Sequence, residues 1–167
     1  MSYDADRGWL YLYNRTMGTL ARLAVDCAAG TLGAPEPWDT GGNQIMALWF
    51  GSHYILAQTA ETHLLVYDTQ GELLRTIVSP QGGSLQGMVT DQTGSYLAVV
   101  LKPIAHEAGE YRFTESGLIE LWDIAEGTLI ATFQNPDQKI SGVAFTDQGT
   151  LIWSDGTRVE ARQIVLP

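Results

Sequence analysis

The chain has 167 residues, of which 45% are hydrophobic, a size and composition ordinary for a globular protein with a substantial core. Nineteen acidic residues against nine basic ones give a net charge of −10, which repels phosphate backbones and argues against nucleic acid as a ligand. The lone cysteine, Cys27, excludes an intramolecular disulfide and a cysteine-based metal site. Its small apolar neighbours predict that Cys27 is partly buried.

The N-terminal residues lack the basic and apolar regions of a signal peptide. The most apolar run, residues 45–57, is too short to span a membrane as a helix. We therefore expect a cytoplasmic protein that binds neither nucleic acid nor a membrane.

Two short phrases recur along the chain in alternation. The first joins an apolar or aromatic residue and an aspartate to a glycine turn, at residues 25–32, 67–73 and 122–129. The second, Thr-Asp-Gln before a glycine, occurs at residues 90–94 and 146–149, with a weaker copy at 3–8. Carboxylates in such turns bond nearby backbone amides, and glycine takes positive φ. The residues predicted to hold the turns are Asp26, Asp68, Asp91, Asp123, Asp147 and, in an Asp-Gly hairpin, Asp155 and Gly156.

Between these turns, apolar residues alternate with polar ones at the period of two that is typical of strands. The strands fall into four consecutive units, approximately residues 1–38, 44–78, 84–134 and 139–167. The first unit has strands at 9–13 and 19–26 and a short one near 35–38, with no initial strand. The fourth has three strands and no last one. No segment shows sustained helical periodicity, so the fold is predicted to be all-β.

A repeat of about 40 residues with four strands is typical of a β-propeller blade. Trp122-Asp123, Tyr67-Asp68 and the Thr-Asp-Gln turns resemble WD-repeat proteins, and residues 10–32 are similar to propellers of the lactonase type. The resemblance implies one partial propeller domain over residues 1–167, with about three and a half four-stranded antiparallel blades. The Gly-His dipeptide that opens many WD repeats is missing from this sequence.

His53 and His63 are the first candidates for a metal ligand or a base. A hairpin turning at residues 60–61 would place His53 opposite Asp68 and His63 opposite Gln58, which favours a structural role. Two histidines without a third convergent ligand make a poor zinc site. The sequence contains no nucleophile elbow, phosphate-binding loop or calcium-loop spacing. We therefore predict no catalytic residue, no metal site and no cofactor.

The connection at residues 102–116 is much longer than its counterparts in the other units. Loops of this length in compact domains are usually functional or disordered, and both a partner contact and a mobile loop stay open. Tyr111 and Phe113 would share one side of an extended segment, with Arg112 on the other. As a partner contact the segment would bind through Lys102, His106, Glu107, Glu110, Tyr111, Arg112 and Phe113.

These features favour a non-enzymatic propeller module, a protein–protein interaction platform or scaffold subunit of a complex. Because strands are missing from the first and last units, we expect another chain to complete the propeller. A small four-bladed ring, closed with the help of residues 1–6 and 164–167, is the structural alternative. The functional alternatives are a lactonase-like propeller enzyme with an acidic central pocket and a purely architectural subunit.

Overall fold

The structure, a computed structural model, describes residues 1–14, 16–107, 110–113, 117–135 and 139–163. Every regular element within these residues is a β-strand, eighteen in all, so the prediction of an all-β fold is confirmed. No helix in this part of the chain is long and apolar enough to cross a membrane. The strands belong to two units, Met1–Ile77 and Val78–Pro167.

The first sheet of the first unit has five antiparallel strands. They are β1 (Ser2–Asp4), β2 (Trp9–Asn14), β3 (Thr19–Asp26), β4 (Thr31–Leu32) and β5 (Glu36–Trp38). The order is β1-β2-β3-β4, and β5 also pairs with β3. The prediction that this unit lacks an initial strand is wrong, because β1 pairs with β2, Tyr3 opposite Leu10. A strand of three residues is too short to reveal itself by alternation.

The second sheet has four strands in sequence order. They are β6 (Ile45–Phe50), β7 (Tyr54–Thr59), β8 (Leu64–Asp68) and β9 (Leu73–Ile77). Tyr54 lies opposite Asp68, and Gln58 lies opposite Leu64.

The predicted pairs of His53 with Asp68 and His63 with Gln58 are therefore wrong by one residue. The amide of Thr59 donates to the carbonyl of His63, so the hairpin loop has one residue more than the expected two. Thr62 is in this loop and adopts the left-handed backbone conformation, with a φ of 64°.

The core of the first unit lies between its two sheets and is rich in aromatic rings. The centroid of the Tyr11 ring is 5.1 Å from that of Trp38 and 5.0 Å from that of Phe50. Trp38 meets Tyr67 edge to face at 5.2 Å. Such tilted contacts stabilise aromatic pairs beyond the area they bury. The buried members of this core are Tyr11, Leu20, Trp38, Ile45, Leu48, Ile55, Ala57, Leu65 and Tyr67.

The second unit begins with β10 (Ser84–Thr90) and β11 (Tyr96–Lys102). A hairpin of its own follows, β12 (Ile104–Glu107) and β13 (Glu110–Phe113), before β14 (Gly117–Asp123) and β15 (Thr128–Asn135). The sheet order is β10-β11-β14-β15, and β12 and β13 form a separate two-stranded sheet. The insertion therefore leaves the four-stranded sheet uninterrupted.

The last sheet has three strands among the described residues, β16 (Gly142–Phe145), β17 (Thr150–Ser154) and β18 (Val159–Gln163), in this order. It packs on the sheet before it around Ile119, Leu121, Ile140 and Trp153. The two approach closely at Gly117, where a Cβ atom would lie 2.5 Å from Cγ1 of Ile140.

Consecutive antiparallel sheets of three to five strands, four in the complete blades, confirm the prediction of a partial β-propeller fold. The alternative four-bladed ring stays a prediction: residues 1–6 include β1, which pairs with β2 inside the first sheet, and residues 164–167 lie outside the described residues.

Candidate functional site

The carboxylate of Asp68 shows how the predicted turn residues act. Its Oδ1 atom accepts hydrogen bonds from the backbone amides of Glu72, Gln70 and Gly71 at 2.8–2.9 Å. These bonds hold the pKa of Asp68 below its ordinary value. Four other turn carboxylates accept amides in the same way: Asp26 from Ala28 and Ala29, Asp91 from Thr93 and Tyr96, Asp123 from Glu126, and Asp155, beside Gly156, from Thr157 and Arg158.

Asp147 is placed differently. Its Oδ1 atom accepts from Nε2 of Gln92 at 2.7 Å, so the two Thr-Asp-Gln turns contact each other. In the turn that contains Asp147, the backbone amides of Gln148 and Thr150 donate hydrogen bonds to the hydroxyl of Thr146. A threonine hydroxyl therefore does at this turn what a carboxylate does at the others.

The candidate metal ligands do not converge. His53 is exposed, and Nδ1 of His63 lies 3.7 Å from a carboxylate oxygen of Glu61. Within the described residues, no three His, Cys, Asp or Glu side chains are grouped to hold a metal ion. The expectation of a partly buried Cys27 is wrong: β3 ends at Asp26, and Cys27 is exposed in the following turn.

The predicted partner-binding residues lie at the insertion. Lys102 ends β11. In the hairpin, His106 is opposite Tyr111 and Glu107 is opposite Glu110. The others, Arg112 and Phe113, complete β13. The backbone of this hairpin pairs with no other strand in the part of the chain that the structure describes.

Among the described residues, strand β18 is the outer edge of the last sheet, and all five of its side chains are exposed. The carbonyl of Ser154 accepts from the amide of Ser141, on the β16 side, and the amide of Asp155 donates to the carbonyl of Arg158. The backbone N–H and C=O groups of successive residues point to opposite sides of a strand. Those of Glu160 and Arg162 therefore point towards β17. Outward-pointing groups belong to Val159, Ala161 and Gln163. The outward groups form a template for a further strand.

A cleft of about 490 Å³ lies in the first unit, where β3 and β5 face the turn between β8 and β9. We call it the Trp38 cleft; its main lining residues are Arg22, Glu36, Trp38, Asp39, Gly71 and Glu72. No motif in the sequence predicted this cleft. The available signal was Arg22, a charged residue two positions after Leu20 on the core-facing side of β3.

Arg22 joins the two sheets at the wall of this cleft. Its Nε donates to Oε2 of Glu36 at 3.0 Å, and one of its terminal nitrogens donates to the carbonyl of Gln70 at 3.2 Å. The guanidinium carbon lies 4.5 Å from the ring centroid of Trp9 and 5.6 Å from that of Trp38. These distances are those of cation–π contacts.

Among the described residues, three buried polar atoms of the aromatic core have no hydrogen-bond partner: the hydroxyls of Tyr11 and Tyr67 and Nε1 of Trp38. Burial, with the charge of Asp39, raises the pKa of Tyr67 to about 12. Burial, with the charge of Asp4, also raises the pKa of Tyr11. Both hydroxyls are therefore neutral at physiological pH. Buried polar atoms without partners are uncommon, and three in one cluster mark it as unusual.

A buried carboxyl lies in the second unit at Glu120, which is 1% exposed. Ser79 Oγ donates to its Oε1 at 2.7 Å, and Trp122 Nε1 donates to its Oε2 at 3.2 Å. No ion pair neutralises it among the described residues. Burial raises the pKa of Glu120, and the two hydrogen bonds offset only part of that effect. The sequence signal was a lone charge between Ile119 and Leu121.

We expect Glu120→Gln to remove part of the pH dependence of stability. Because the folded pKa is raised, the folded state holds more protons than the unfolded state between the ordinary glutamate pKa and the raised one. The free energy of unfolding therefore falls as pH rises through this window. Urea denaturation from acidic to neutral pH should show a smaller decline in the variant than in the parent protein. The exposed Glu126→Gln is the control, and a decline equal in all three proteins would contradict the assignment.

Neither a protein-family model nor a curated protein sequence matches the chain. Among solved structures, 559 chains are similar to it. One is the Kuenenia stuttgartiensis hydrazine synthase, with a TM-score of 0.61 and 15% sequence identity over 90% of this chain. The chain spans 42% of the length of that structure. At this identity the likeness shows a shared fold and nothing about activity.

Proposed function

We propose that the chain is a non-enzymatic propeller module that serves as a protein–protein interaction platform or scaffold subunit of a complex. The observation that carries the proposal is the open edge at β18. In the sheet before it, the third strand β14 pairs with a fourth strand, β15, whereas β18 occupies the third position with its outer edge free among the described residues. The proposed partner is another polypeptide that adds the fourth strand.

The outward backbone groups of Val159, Ala161 and Gln163 would supply the main-chain hydrogen bonds of this strand addition. Beside them, Phe133 stacks on Trp153 at a centroid distance of 5.6 Å, and the guanidinium of Arg162 lies 5.5 Å from the Phe133 ring centroid. An apolar side chain of the added strand would pack against these rings. Backbone pairing would provide affinity, and this contact would provide specificity.

The insertion hairpin β12–β13 is proposed as a second contact for the partner. Its support is that the hairpin has a backbone sheet of its own, so that its sequence can vary without disturbing the blade. Aromatic residues and arginine, here Tyr111, Phe113 and Arg112, are enriched at binding hot spots. Membership of the WD-repeat family and a cytoplasmic location belong to the same proposal, and both rest on the sequence.

The test is the native mass of the protein purified from the cells that naturally produce it, for three forms of the chain. The parent protein should carry a second polypeptide in fixed stoichiometry, giving a mass above the 18.2 kDa of the chain alone. Ala161→Pro removes an outward N–H without removing a bond to β17, and should release the second polypeptide. Ala161→Val keeps the N–H and should retain it.

A folded, monodisperse monomer of the parent protein would overturn the proposal. Retention of the second polypeptide by Ala161→Pro would also overturn it, because the contact would then not require the edge of β18. Circular dichroism of both variants serves as the control for folding, since each should keep the β-sheet spectrum of the parent.

A further inference from the structure

We propose that two copies of this chain pack head to tail, the outer face of the first sheet of one copy against the outer face of the last sheet of the other. The first of these surfaces, the head face, is formed mainly by Tyr3, Leu10, Leu12, Ala21, Leu23 and Pro37. The second, the tail face, is formed mainly by Gly142, Ala144, Thr150, Ile152, Ser154 and Ala161. The contact uses sheet faces, so it is separate from the edge of β18 and does not depend on strand addition there.

The head face has no charged residue, although it is the side of the first sheet that points away from the aromatic core. Directly opposed residues of antiparallel strands have their side chains on the same side of a sheet, and the register of β1–β5 defines the head face in this way. The charged residues of these strands all lie on the other side, with Tyr11: they are Asp4, Arg22, Asp26 and Glu36. A sheet face in water normally carries the polar residues. The head face therefore has the composition of a covered face.

The side chains of the head face are nevertheless open to solvent. Tyr3 is 46% exposed and Leu12 is 40% exposed. Beside Leu12 lies a depression of about 430 Å³, lined by Ala21 and Pro37 among others. Strands β8 and β14, in the second and third sheets, are buried at nearly every position and so on both faces. An open apolar face is the exception in this fold, and a contiguous exposed apolar surface marks an interaction site.

The tail face shows the same reversed pattern. The charged residues of β16–β18 are Glu160 and Arg162, and both lie on the inner side of the sheet, Glu160 opposite Trp153. On the tail face, Ile152 lies opposite Ala144 on one side and opposite Ala161 on the other. Both alanines are exposed. The last sheet therefore presents an uncharged face of mostly small side chains around Ile152.

The two faces fit each other in charge and in size, which identifies a second copy as the occupant. With a net charge of −10, two copies repel each other, so they associate most readily through faces that bring no further charge together. Large side chains on the head face opposite small ones on the tail face allow two sheets to interdigitate at about 10 Å. Two head faces against each other would oppose large side chains and leave both tail faces open.

The experiment measures the native mass of the chain produced alone, in a host without its natural partners, by analytical ultracentrifugation. At about 20 μM, a contact with a Kd of about 1 μM is mostly formed. The parent protein should have at least twice the 18.2 kDa mass of one chain. Head-to-tail contacts either close into a ring or extend, so any such multiple agrees with the proposal.

Leu12→Lys on the head face and Ala144→Lys on the tail face should each give mainly monomer. An unpaired lysine in an apolar contact should raise the Kd by about 100-fold or more. The matched control is Leu74→Lys in β9, at a leucine that is 47% exposed and belongs to neither face; it should keep the mass of the parent. Circular dichroism checks that all three variants keep the β-sheet spectrum.

An equimolar mixture of the two variants tests the head-to-tail arrangement itself. Leu12→Lys keeps an intact tail face and Ala144→Lys keeps an intact head face, so the mixture should form pairs although each variant alone does not. Because this measurement uses no other polypeptide, its result is independent of strand addition at β18. Three results would each overturn the proposal: a monomeric parent protein, a variant of either face that keeps the mass of the parent, or a mixture that stays monomeric.

Discussion

Replacing Arg7 with alanine is expected to lower the free energy of unfolding by about 3–5 kcal/mol, because the buried carboxylate of Asp4 then has no positive partner. Asp4 is 2% exposed, and its Oδ2 atom lies 2.6 Å from a terminal nitrogen of Arg7. The other terminal nitrogen donates to the carbonyls of Gly51 at 2.7 Å and Ser52 at 2.9 Å, in the turn between β6 and β7. One side chain thus neutralises a carboxylate of the first sheet and caps a turn of the second.

Urea denaturation measures this loss, with the exposed Arg158→Ala as the control. Arg7→Lys keeps the charge without the planar fork, and its loss should be intermediate. Adding Asp4→Asn to Arg7→Ala removes the unpaired carboxylate, so the double variant should be more stable than Arg7→Ala alone. If Arg7→Ala and Arg158→Ala unfold at the same urea concentration, the pair with Asp4 contributes nothing to folding.

The second large effect is expected at Gly83, which precedes β10 with a φ of 120°. Side chains rarely occupy this conformation, and forcing one there costs about 1–3 kcal/mol. A Cβ atom at Gly83 would also lie 2.6 Å from the carbonyl oxygen of Lys102, which belongs to the backbone and cannot turn aside. Displacing it costs about 1–3 kcal/mol more. Gly83→Ala should therefore destabilise by about 3 kcal/mol or more.

Gly82 provides a matched control one residue away. Its φ is 61°, and a Cβ atom there would meet nothing within 4 Å. Gly82→Ala should cost about 1 kcal/mol, the ordinary penalty of a left-handed residue. Thermal or urea unfolding of the two variants gives the comparison directly. An equal decrease in the free energy of unfolding for both variants would show that the structure accommodates a Cβ atom between Gly83 and Lys102 without destabilisation.

The sequence determined the features that depend on near neighbours in the chain. Alternation of apolar residues predicted β2, β3 and every strand of the second and third sheets, because side chains point to opposite faces at a period of two. Aspartates followed by glycine predicted the turns, because a carboxylate reaches amides two to four residues on, as Asp68 does. The repetition of both phrases predicted propeller blades.

Only the tertiary structure decided the features that depend on distant residues. The register of β7 against β8 depended on one extra loop residue, Thr62, since a shift of one position moves every pair. The partners of Arg7 and Arg22 could not be predicted from the sequence, because the carbonyls that accept hydrogen bonds from them belong to residues 44 and 48 positions away. Glu120 alternates with apolar neighbours as on the polar face of a strand, whereas both faces of β14 are buried and its carboxyl is desolvated. The alternation of neighbouring residues determines where a strand lies. The contacts of its charged side chains depend on how distant segments pack together, which neighbouring residues do not determine.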